Sequence, residues 1–483
     1  MARLSPLDAS FLRVESPTAH MHVGWLSRLE LPAGAESLDV DRLLATLAAR
    51  LHRAPRFRQL VAPAPLDLGE PTWVDDHEFA LGRHVHVVAA DPVDRPGLRA
   101  YADDFLSRPL PRDRPLWQLL VLPRLDPHGA AVLGKVHHAM VDGLAAVELG
   151  VLLFDLEASA QPESPPAWRA EPASSPVRRA VGSAASSAAE SVRTAGRMAR
   201  LATSPRDGLR VAESGLGAAV SLAGDAIRRA PDSFLNGELT PRRTLATQRN
   251  EMADLQTVKR LRGVKLNDVV LAVVAGALRQ LALLRGDDPA DLRVMIPVST
   301  RTDGEQQAGG NRITFCFTWL PVGSGDPVER LTSIRAATRA IKRSDQIAGS
   351  EMVLRSLGQL PVALRARAAR LAASPRLYNL TVSNVPGPPM PLYVAGARVE
   401  SVFPVIPLAD CHALSFGALS YDGGMHFAAY ADPVVLPEAA RLPSLLSTSL
   451  VDLMDASRRR TRGRRRSPFR QAAASRGVAA GRS

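Results

Sequence analysis

The sequence predicts two α/β domains joined by a long connection. The chain has 483 residues, more than a single hydrophobic core usually supports, so two domains are expected. Strand-like and helix-like patterns alternate in residues 1–155 and again in residues 241–456. Residues 156–240, between them, are rich in Ala, Ser and Pro and show no strand pattern, which predicts a linker of short helices and loops. Residues 457–483 form a basic tail that we expect to be disordered.

The first predicted domain begins with a strand and a helix. Apolar residues alternate with others in Met21–Leu26, which predicts a strand, and leucines recur at helical spacing in Leu38–Leu51, which predicts a helix. Further short apolar or β-branched runs predict three strands, and an apolar stretch that follows them predicts a buried helix. The strands are His84–Val88, Leu116–Leu122 and Ala130–His137, and the helix is Gly143–Phe154.

The second predicted domain repeats the alternation and ends in a hairpin and a helix. Asp422-Gly423 lies between two apolar runs, Ala413–Ser420 and Met425–Ala429, which is a strong signal for a β-hairpin turn. Before this hairpin, the pattern predicts helices at Asp268–Leu284 and over 328–341, and strands at Arg293–Val298, Ile313–Val322 and Tyr378–Ser383. The final helix is predicted at Pro437–Met454.

The composition excludes several classes of protein. A hydrophobic fraction of 46% and a charged fraction of 22% are typical of globular chains, not of disordered or fibrous ones. Two cysteines, Cys316 and Cys411, are too few for a disulfide framework. The first residues carry charges and a proline where a signal peptide needs an apolar core, and the most apolar run, Val269–Leu278, is half of what a bilayer crossing requires. We therefore expect a cytoplasmic protein.

The net charge of +12 lies almost entirely at the end of the chain. Ten arginines and no acidic residue follow Ser457, which leaves about +2 for residues 1–457. A nucleic-acid-binding protein would carry its positive charge on the folded body, so we expect no specific nucleic-acid partner. The tail can contact any polyanion, including anionic lipid headgroups. The alternative is a solvated tail with no dedicated partner.

The chemical signal is the segment Lys135–Gly143, which reads KVHHAMVDG. Two adjacent histidines, His137 and His138, end an apolar strand in a chain that has only 11 histidines. Asp142 and Gly143 open the next predicted helix, where Asp is a favoured N-cap. Because successive strand side chains point to opposite faces, we expect one histidine to act on the substrate and the other to support the site.

Three interpretations of these residues compete. As metal ligands, His137, His138 and Asp142 would form an unusual triad with no second cluster nearby in the sequence. As core histidines, one could be satisfied by backbone carbonyls, but two adjacent histidines followed by Asp-Gly fit that role poorly. As a general-base site, a neutral imidazole would take the proton of a hydroxyl that attacks an electrophile.

No other catalytic arrangement is evident in the sequence. There is no G-x-S-x-G elbow, Walker A lysine, G-x-G-x-x-G after a strand or CxxC, and Cys316 lies within an apolar strand. Direct transfer from an activated acyl donor to an acceptor hydroxyl is then the simplest mechanism. It needs no metal and no cofactor.

The segment His137–Gly143 resembles the HHxxxDG motif of the coenzyme A-dependent acyltransferase superfamily. Further segments resemble the bacterial wax ester synthase/diacylglycerol acyltransferase family in particular. They are Leu4–Phe11 with Met21–Gly24 (N-terminal signature), Pro109–Trp117 (PLW segment, with Gln118 where glutamate is common), Leu266–Val270 (ND motif), Pro297–Arg301 and Ser383–Pro388. These matches follow the family order and leave out the linker and the tail.

The resemblance implies a fold and a role for each site residue. Each half is expected to be a chloramphenicol acetyltransferase-like α/β (α+β) domain with a mixed, largely antiparallel sheet, and the site to lie in a tunnel between the halves. His138 would be the base and His137 a supporting residue, while Asp142, beside Gly143, would pair with Arg301 from the other domain. A plain surface arginine is the alternative for Arg301. Two further residues are expected to support the site: Asn267 as an oxyanion donor or as the N-cap of the helix at Asp268, and Trp117, for which core packing is the more usual role.

The resemblance also implies the substrates. Long-chain acyl-CoA would be the donor, and diacylglycerol or a long-chain alcohol the acceptor. No residue pattern distinguishes diacylglycerol from a long-chain alcohol as the acceptor. The many arginines are typical of a high-GC genome, and bacteria with such genomes commonly store triacylglycerol. We therefore expect diacylglycerol as the acceptor, with wax ester synthesis as the alternative. The basic tail and linker segments such as Ser191–Leu201 could hold the enzyme at a membrane or lipid droplet. A non-catalytic lipid-surface protein with the same fold is a second alternative.

Overall fold

The computed structural model describes residues 3–64, 70–89, 91–140, 152–172, 229–299, 313–343, 370 and 373–476. Within these ranges the strands form two six-stranded sheets and one two-stranded sheet. Both large sheets are mixed and largely antiparallel. The first large sheet holds the strand that leads to the two histidines.

The first large sheet has the strand order β11-β12-β1-β6-β5-β4, in which only β4 and β5 are parallel. Its strands are β1 (His22–Glu30), β4 (Val85–Val87), β5 (Trp117–Leu122), β6 (Ala130–His137), β11 (Tyr393–Val394) and β12 (Ala397–Val405). The same half contains the helices α1 (Pro6–Val14), α2 (Val40–Arg50) and α3 (Arg95–Ser107) and the hairpin of β2 (Gln59–Ala62) with β3 (Thr72–Asp75). Each helix begins at a side-chain cap: Ser5, Asp39 and Asp94 accept a backbone N–H of the first turn.

Two strands of this sheet come from the C-terminal half of the chain. Strand β12 pairs with β1 from Gly24 opposite Val405 to Glu30 opposite Arg398, and β11 pairs with β12. The predicted second domain, residues 241–456, therefore does not correspond to one sheet. The hairpin of β11 and β12 lies within that range but completes the N-terminal sheet. Local patterns predict strands but do not indicate which sheet a strand joins.

The second large sheet has the order β7-β14-β13-β10-β8-β9, in which β10 is parallel to both neighbours. Its strands are β7 (Thr244–Glu251), β8 (Leu292–Ser299), β9 (Ile313–Leu320), β10 (Leu380–Pro386), β13 (Leu414–Tyr421) and β14 (Gly424–Ala431). Helices α4 (Met252–Arg262), α5 (Leu266–Arg285), α6 (Pro327–Arg343) and α7 (Leu442–Arg476) complete this half. The turn between β13 and β14 has φ of 39° at Asp422 and 75° at Gly423, so both central residues are left-handed as the predicted hairpin requires.

Helix α5 is the centre of the C-terminal core. Every residue in 269–278 is buried, and the helix ends at Gly286, whose φ of 80° closes it in the left-handed conformation. Among the described residues, α5 has the length and apolar composition that could cross a membrane. However, 72% of its most apolar stretch is buried within the protein, as in the core helix of a globular domain.

The beginning of the predicted linker is attached to the N-terminal half. Residues 156–172 contain no helix or strand, but Arg42 donates to the carbonyls of Ala158 and Ala160, and Arg58 lies 4.4 Å from the ring centre of Trp168. The greater part of the linker, 173–228, which includes Ser191–Leu201, lies outside the described residues.

The expectation of a disordered tail is wrong for most of its length. Helix α7 continues through Arg476, because a helix that is already formed extends without a new nucleation step and arginine and alanine favour it. Ser457 is fully buried, and Arg460 forms an ion pair with Asp326 at 2.8 Å. The first turn of the tail is therefore part of the folded body.

Buried polar contacts join the two halves near α3. Arg243 and Asp432 are both almost fully buried and lie 3.6 Å apart, and Arg243 also donates to the carbonyl of Thr18. The backbone N–H of Leu245 donates to Asp103 of α3 at 2.8 Å. These contacts fix the start of β7 against the N-terminal half.

Candidate active site

The histidine pair lies where strand β6 ends against its neighbours. The N–H of His137 donates to the carbonyl of Leu116 at 2.9 Å, and the N–H of His138 donates to the carbonyl of Met21 at 2.7 Å. The backbone of both residues is thus held by the segments on either side of β6. Asp142, Gly143 and Arg301, which the sequence also predicts at the site, lie outside the described residues.

His137 is built into the turn that follows β6. Its Nδ1 accepts the backbone N–H of Ala139 at 3.0 Å, so the neutral ring carries its proton on Nε2. Nε2 lies 3.7 Å from Oε2 of Glu15, a carboxylate that also pairs with Arg112. Burial, then the charge of Arg112 and the neighbouring His138, holds the pKa of His137 well below its usual range. The ring is uncharged at neutral pH and supports the local backbone.

His138 is half-buried under an aromatic ring. The imidazole stacks on Phe11 of α1, with ring centres 3.9 Å apart and planes inclined by 19°. Its Nδ1 is buried and has no hydrogen-bonding partner in any other residue that the structure describes. Burial lowers the pKa of His138 to about 4, an effect partly opposed by its own backbone carbonyl. A neutral imidazole of this kind can accept a proton at pH 7.

Lys135, in the same segment, has a buried side-chain amine. Its Nζ donates to the carbonyls of Phe105 and Arg108, both at 2.7 Å, and lies 4.4 Å from the ring centre of Phe105. Burial first, then the charge of Arg108, lowers the pKa of Lys135 to about 7, and Asp104 opposes that shift. Lys135 thereby ties β6 to the C-terminal end of α3, where cations are favourable.

Asn267 contacts a second predicted segment. Its Oδ1 accepts a hydrogen bond from Nδ2 of Asn384 at 3.2 Å, which joins the start of α5 to β10. The alternative that Asn267 caps the helix is wrong, because α5 begins at Leu266 and the carboxylate of Asp268 reaches back to the N–H of Lys265 at 2.9 Å. Asn267 is left half-buried and free of a capping role.

Trp117 is a packing residue of the N-terminal core. The side chain is 3% exposed, and its Nε1 donates to the carbonyl of Phe57 at 2.9 Å. Its ring stacks on His84 with centres 4.5 Å apart. The structure thus places Trp117 inside the sheet that carries the histidines, where it packs in the core.

Sequence reasoning missed four residues beside the histidine pair. Phe11 comes from α1 and Glu15 directly follows that helix, while Arg112 lies in the segment before β5. His22 lies in β1, directly opposite His137. Facing residues of antiparallel strands point to the same side of a sheet, so His22 and His137 share a face. Phe11 and His22 lie within the two segments that resemble the family's N-terminal signature, Leu4–Phe11 and Met21–Gly24.

No metal-binding group is evident in the described part of the chain. Among the described residues, no three His, Cys, Asp or Glu side chains come together as a metal-binding group. A cleft of about 790 Å³ is lined by residues of 229–238, Pro375, Arg376 and Cys411, and it does not include His138. The tunnel between the halves stays a prediction.

Comparison with known families identifies both halves of the chain. Residues 4–270 match the model of the wax ester synthase/diacylglycerol acyltransferase catalytic domain, and residues 309–454 match that of the corresponding C-terminal domain. A putative diacylglycerol O-acyltransferase of Mycobacterium bovis and a probable one of Mycobacterium tuberculosis are each 33% identical to the chain over 476 residues. Each of these alignments covers 96% of this chain and 98% of the relative.

Comparison with solved structures identifies the fold. The wax ester synthase/diacylglycerol acyltransferase from Marinobacter aquaeolei superposes with a TM-score of 0.65 at 24% identity, over 95% of this chain and all of that one. The starter condensation domain of rhizomide synthetase superposes with a TM-score of 0.59 at 14% identity, over 94% and 95% of the two chains. The predicted fold class, two α/β domains with mixed sheets, is confirmed.

Proposed function

The chain belongs to the wax ester synthase/diacylglycerol acyltransferase family, and we propose that it transfers a long-chain acyl group from acyl-CoA to the hydroxyl of diacylglycerol, forming triacylglycerol. The names of the relatives aligned along nearly their whole length support this acceptor. The observation that carries the proposal is the uncharged, half-buried imidazole of His138 within the HHxxxDG segment.

His138 acts in this proposal as the general base. Its neutral ring takes the proton of the acceptor hydroxyl while that oxygen attacks the thioester carbonyl of acyl-CoA. The tetrahedral intermediate collapses, the carbon–sulfur bond breaks, and the leaving CoA sulfur receives the proton from His138. The base returns to its starting state, so no further proton donor is needed. His137 supports the turn that presents His138.

Asn267 supplies hydrogen bonds to the oxyanion in this proposal. Because its Oδ1 already accepts from Asn384, its two Nδ2–H donors are the groups left to face a substrate. Donors fixed before the reaction stabilise the charge that develops on the carbonyl oxygen. Asn384 then orients Asn267 instead of contacting the substrate.

The acceptor is the point at which two functions compete. The family name and the name of the Marinobacter protein include wax ester synthesis, in which a long-chain alcohol replaces diacylglycerol. The chemistry at His138 is the same for both acceptors, since both present a primary or secondary hydroxyl. We propose diacylglycerol first because the curated relatives carry that name.

We further propose that the enzyme works peripherally at an anionic membrane or lipid droplet on the cytoplasmic side. Ten arginines and no acidic residue lie in 458–483, and α7 carries nine of them as a helix that extends from the C-terminal half. Arginines near an anionic surface each contribute on the order of 1 kcal/mol to binding at low salt. The donor and the acceptor are both lipids that reside at such surfaces. We propose no specific nucleic-acid partner.

The test is an assay of purified protein with radiolabelled palmitoyl-CoA and a panel of acceptors. Triacylglycerol formed from diacylglycerol, at a rate well above that from hexadecanol, supports the proposal, and loss of product in His138→Ala assigns the base. Wax ester as the main product would favour the alternative acceptor. Release of free palmitate with either acceptor would indicate a hydrolase, and no turnover at all would favour a non-catalytic lipid-surface protein.

A further inference from the structure

Helix α1 is fixed at both of its ends. The N–H of Leu4 donates to the carbonyl of Pro71 at 3.0 Å, ahead of the first turn. At the other end Arg13 forms an ion pair with Glu70 at 2.5 Å, and Glu15 pairs with Arg112. The position of α1 is therefore set by contacts that do not involve His138.

Phe11 lies in the middle of this fixed helix and covers one face of the His138 ring. The two rings are nearly parallel, with centres 3.9 Å apart, so a rotation of the imidazole about its last torsion would drive its edge into the phenyl ring. That torsion is otherwise soft, since the ring torsion of a histidine has broad and shallow preferences. With Nδ1 buried, the orientation leaves Nε2 as the nitrogen that can reach a substrate.

We propose that Phe11 is a positioning residue, which holds the plane of the His138 imidazole so that Nε2 faces the acceptor hydroxyl. This inference rests on the proposed role of His138 as the base. Phe11 acts through His138 and does not itself exchange a proton. A base held within a small angle of the reactive geometry transfers a proton far faster than one that samples many orientations.

The charged groups around the pair belong to other parts of the site. Glu15 follows α1, Arg112 precedes β5, and both lie beside His137. Phe11 is apolar, so its removal changes no charge in this set. An altered proton transfer in a Phe11 variant would then come from the ring of His138 and its exposure to water.

Leucine and tyrosine substitutions separate positioning from simple packing. Phe11→Leu keeps an apolar side chain but removes the flat face, and we expect kcat to fall on the order of tenfold or more with little change in KM for palmitoyl-CoA. We also expect the acid limb of the kcat profile to move to higher pH, because water reaches the imidazole. Phe11→Tyr keeps the aromatic face and is expected to recover most of the kcat.

The matched control is Phe79→Leu. Phe79 is also half-buried and stacks on a histidine, His84, at 5.3 Å between ring centres, but away from the predicted chemistry. This variant removes the same atoms and is expected to keep the wild-type kcat and pH profile. Equal losses of kcat in Phe79→Leu and Phe11→Leu would show that general packing, not positioning, is measured.

Nuclear magnetic resonance of selectively labelled histidines detects the contact between the rings of Phe11 and His138 directly. In the wild type the Cε1–H signal of His138, assigned by its loss in His138→Ala, is expected upfield because of the ring current of Phe11. Phe11→Leu should move it downfield. If His138→Ala abolishes turnover but Phe11→Leu keeps the wild-type kcat, pH profile and signal, the inference is wrong. If His138→Ala keeps its activity, the assignment of the base is wrong instead.

Discussion

The interior around β6 differs from the interior around α5. In α5, all ten residues of 269–278 are buried and none has a polar side chain. At the end of β6 and in the facing β1, the buried residues include Lys135, His137 and His22. Buried polar groups cost free energy unless they are hydrogen-bonded, so a chain gains no stability by collecting them. The comparison indicates that the C-terminal core stabilises the protein. The N-terminal sheet instead contains buried polar groups that reduce stability and form the candidate site.

The largest effect on stability is expected from a cavity in α5. Leu278 is fully buried in the C-terminal core, so Leu278→Ala should reduce the free energy of unfolding by about 3 kcal/mol. Acyl transfer per folded molecule should stay close to wild type. Denaturant unfolding measures the free energy of unfolding, and an activity assay at low temperature measures acyl transfer. A folded Leu278→Ala protein with greatly reduced kcat would contradict the view that the C-terminal core supports stability and the N-terminal sheet supports catalysis.

A smaller loss of stability with a larger loss of activity is expected at β6. Lys135→Met leaves the carbonyls of Phe105 and Arg108 without their donor, which should cost about 1–3 kcal/mol. Because the same lysine ties α3 to the strand that ends at His137, kcat should fall even where the protein is fully folded. Lys135→Arg, which keeps donors, should lose less of both. Wild-type kcat in folded Lys135→Met would show that the anchor has no bearing on the chemistry.

The buried histidines predict an acid-sensitive fold. Burial lowers the pKa of His20, His84, His138 and His426 to about 4, whereas the unfolded chain titrates these groups near 6.5. Between these values the unfolded state binds more protons, so stability is retained above about pH 6.5 and falls as the pH drops towards 4. Each group contributes up to about 1.4 kcal/mol per pH unit. A denaturation midpoint that stays constant from pH 8 to pH 5 would contradict this prediction.

The smallest effect on turnover is expected at the end of α7. Since Ser457 is buried and Arg460 pairs with Asp326, the truncation that spares the fold follows Arg460. It removes seven of the ten arginines and should leave turnover of a soluble, short-chain substrate pair nearly unchanged. Sedimentation with anionic vesicles should decrease and become less sensitive to salt. Truncation after Arg476 is the control. Equal vesicle binding by all three proteins would leave the tail without a membrane role.

Local chemistry accounts for what the sequence predicts well. The hairpin at Asp422-Gly423 and helix α2 depend on neighbouring residues, and both lie where their patterns place them. The transfer of β11 and β12 to the N-terminal sheet depends on contacts between distant parts of the chain, which periodicity does not encode. The stacking of Phe11 on His138 was missed for the same reason.

The residues of the candidate site also fall into those that a local sequence signal predicts and those that it does not. The pair His137-His138 was found because its spacing is rare and its strand context is local. The capping role assigned to Asn267 was wrong because Asp268, one residue later, reaches the helix start more favourably. Glu15 and Arg112 were missed, since ion pairs across the fold leave no periodic signal.

The most direct test of His138 as the general base compares three histidine variants in steady-state acyl transfer: His138→Ala, His137→Ala and His84→Ala. His84 is buried in the same half and stacks on Trp117, so it controls for the loss of a buried imidazole. We expect kcat/KM to fall by a factor of about 10² to 10⁴ for His138→Ala, less for His137→Ala, and little per folded molecule for His84→Ala. If folded His137→Ala were the most impaired by a wide margin, or if His138→Ala matched His84→Ala, His138 would not be the base.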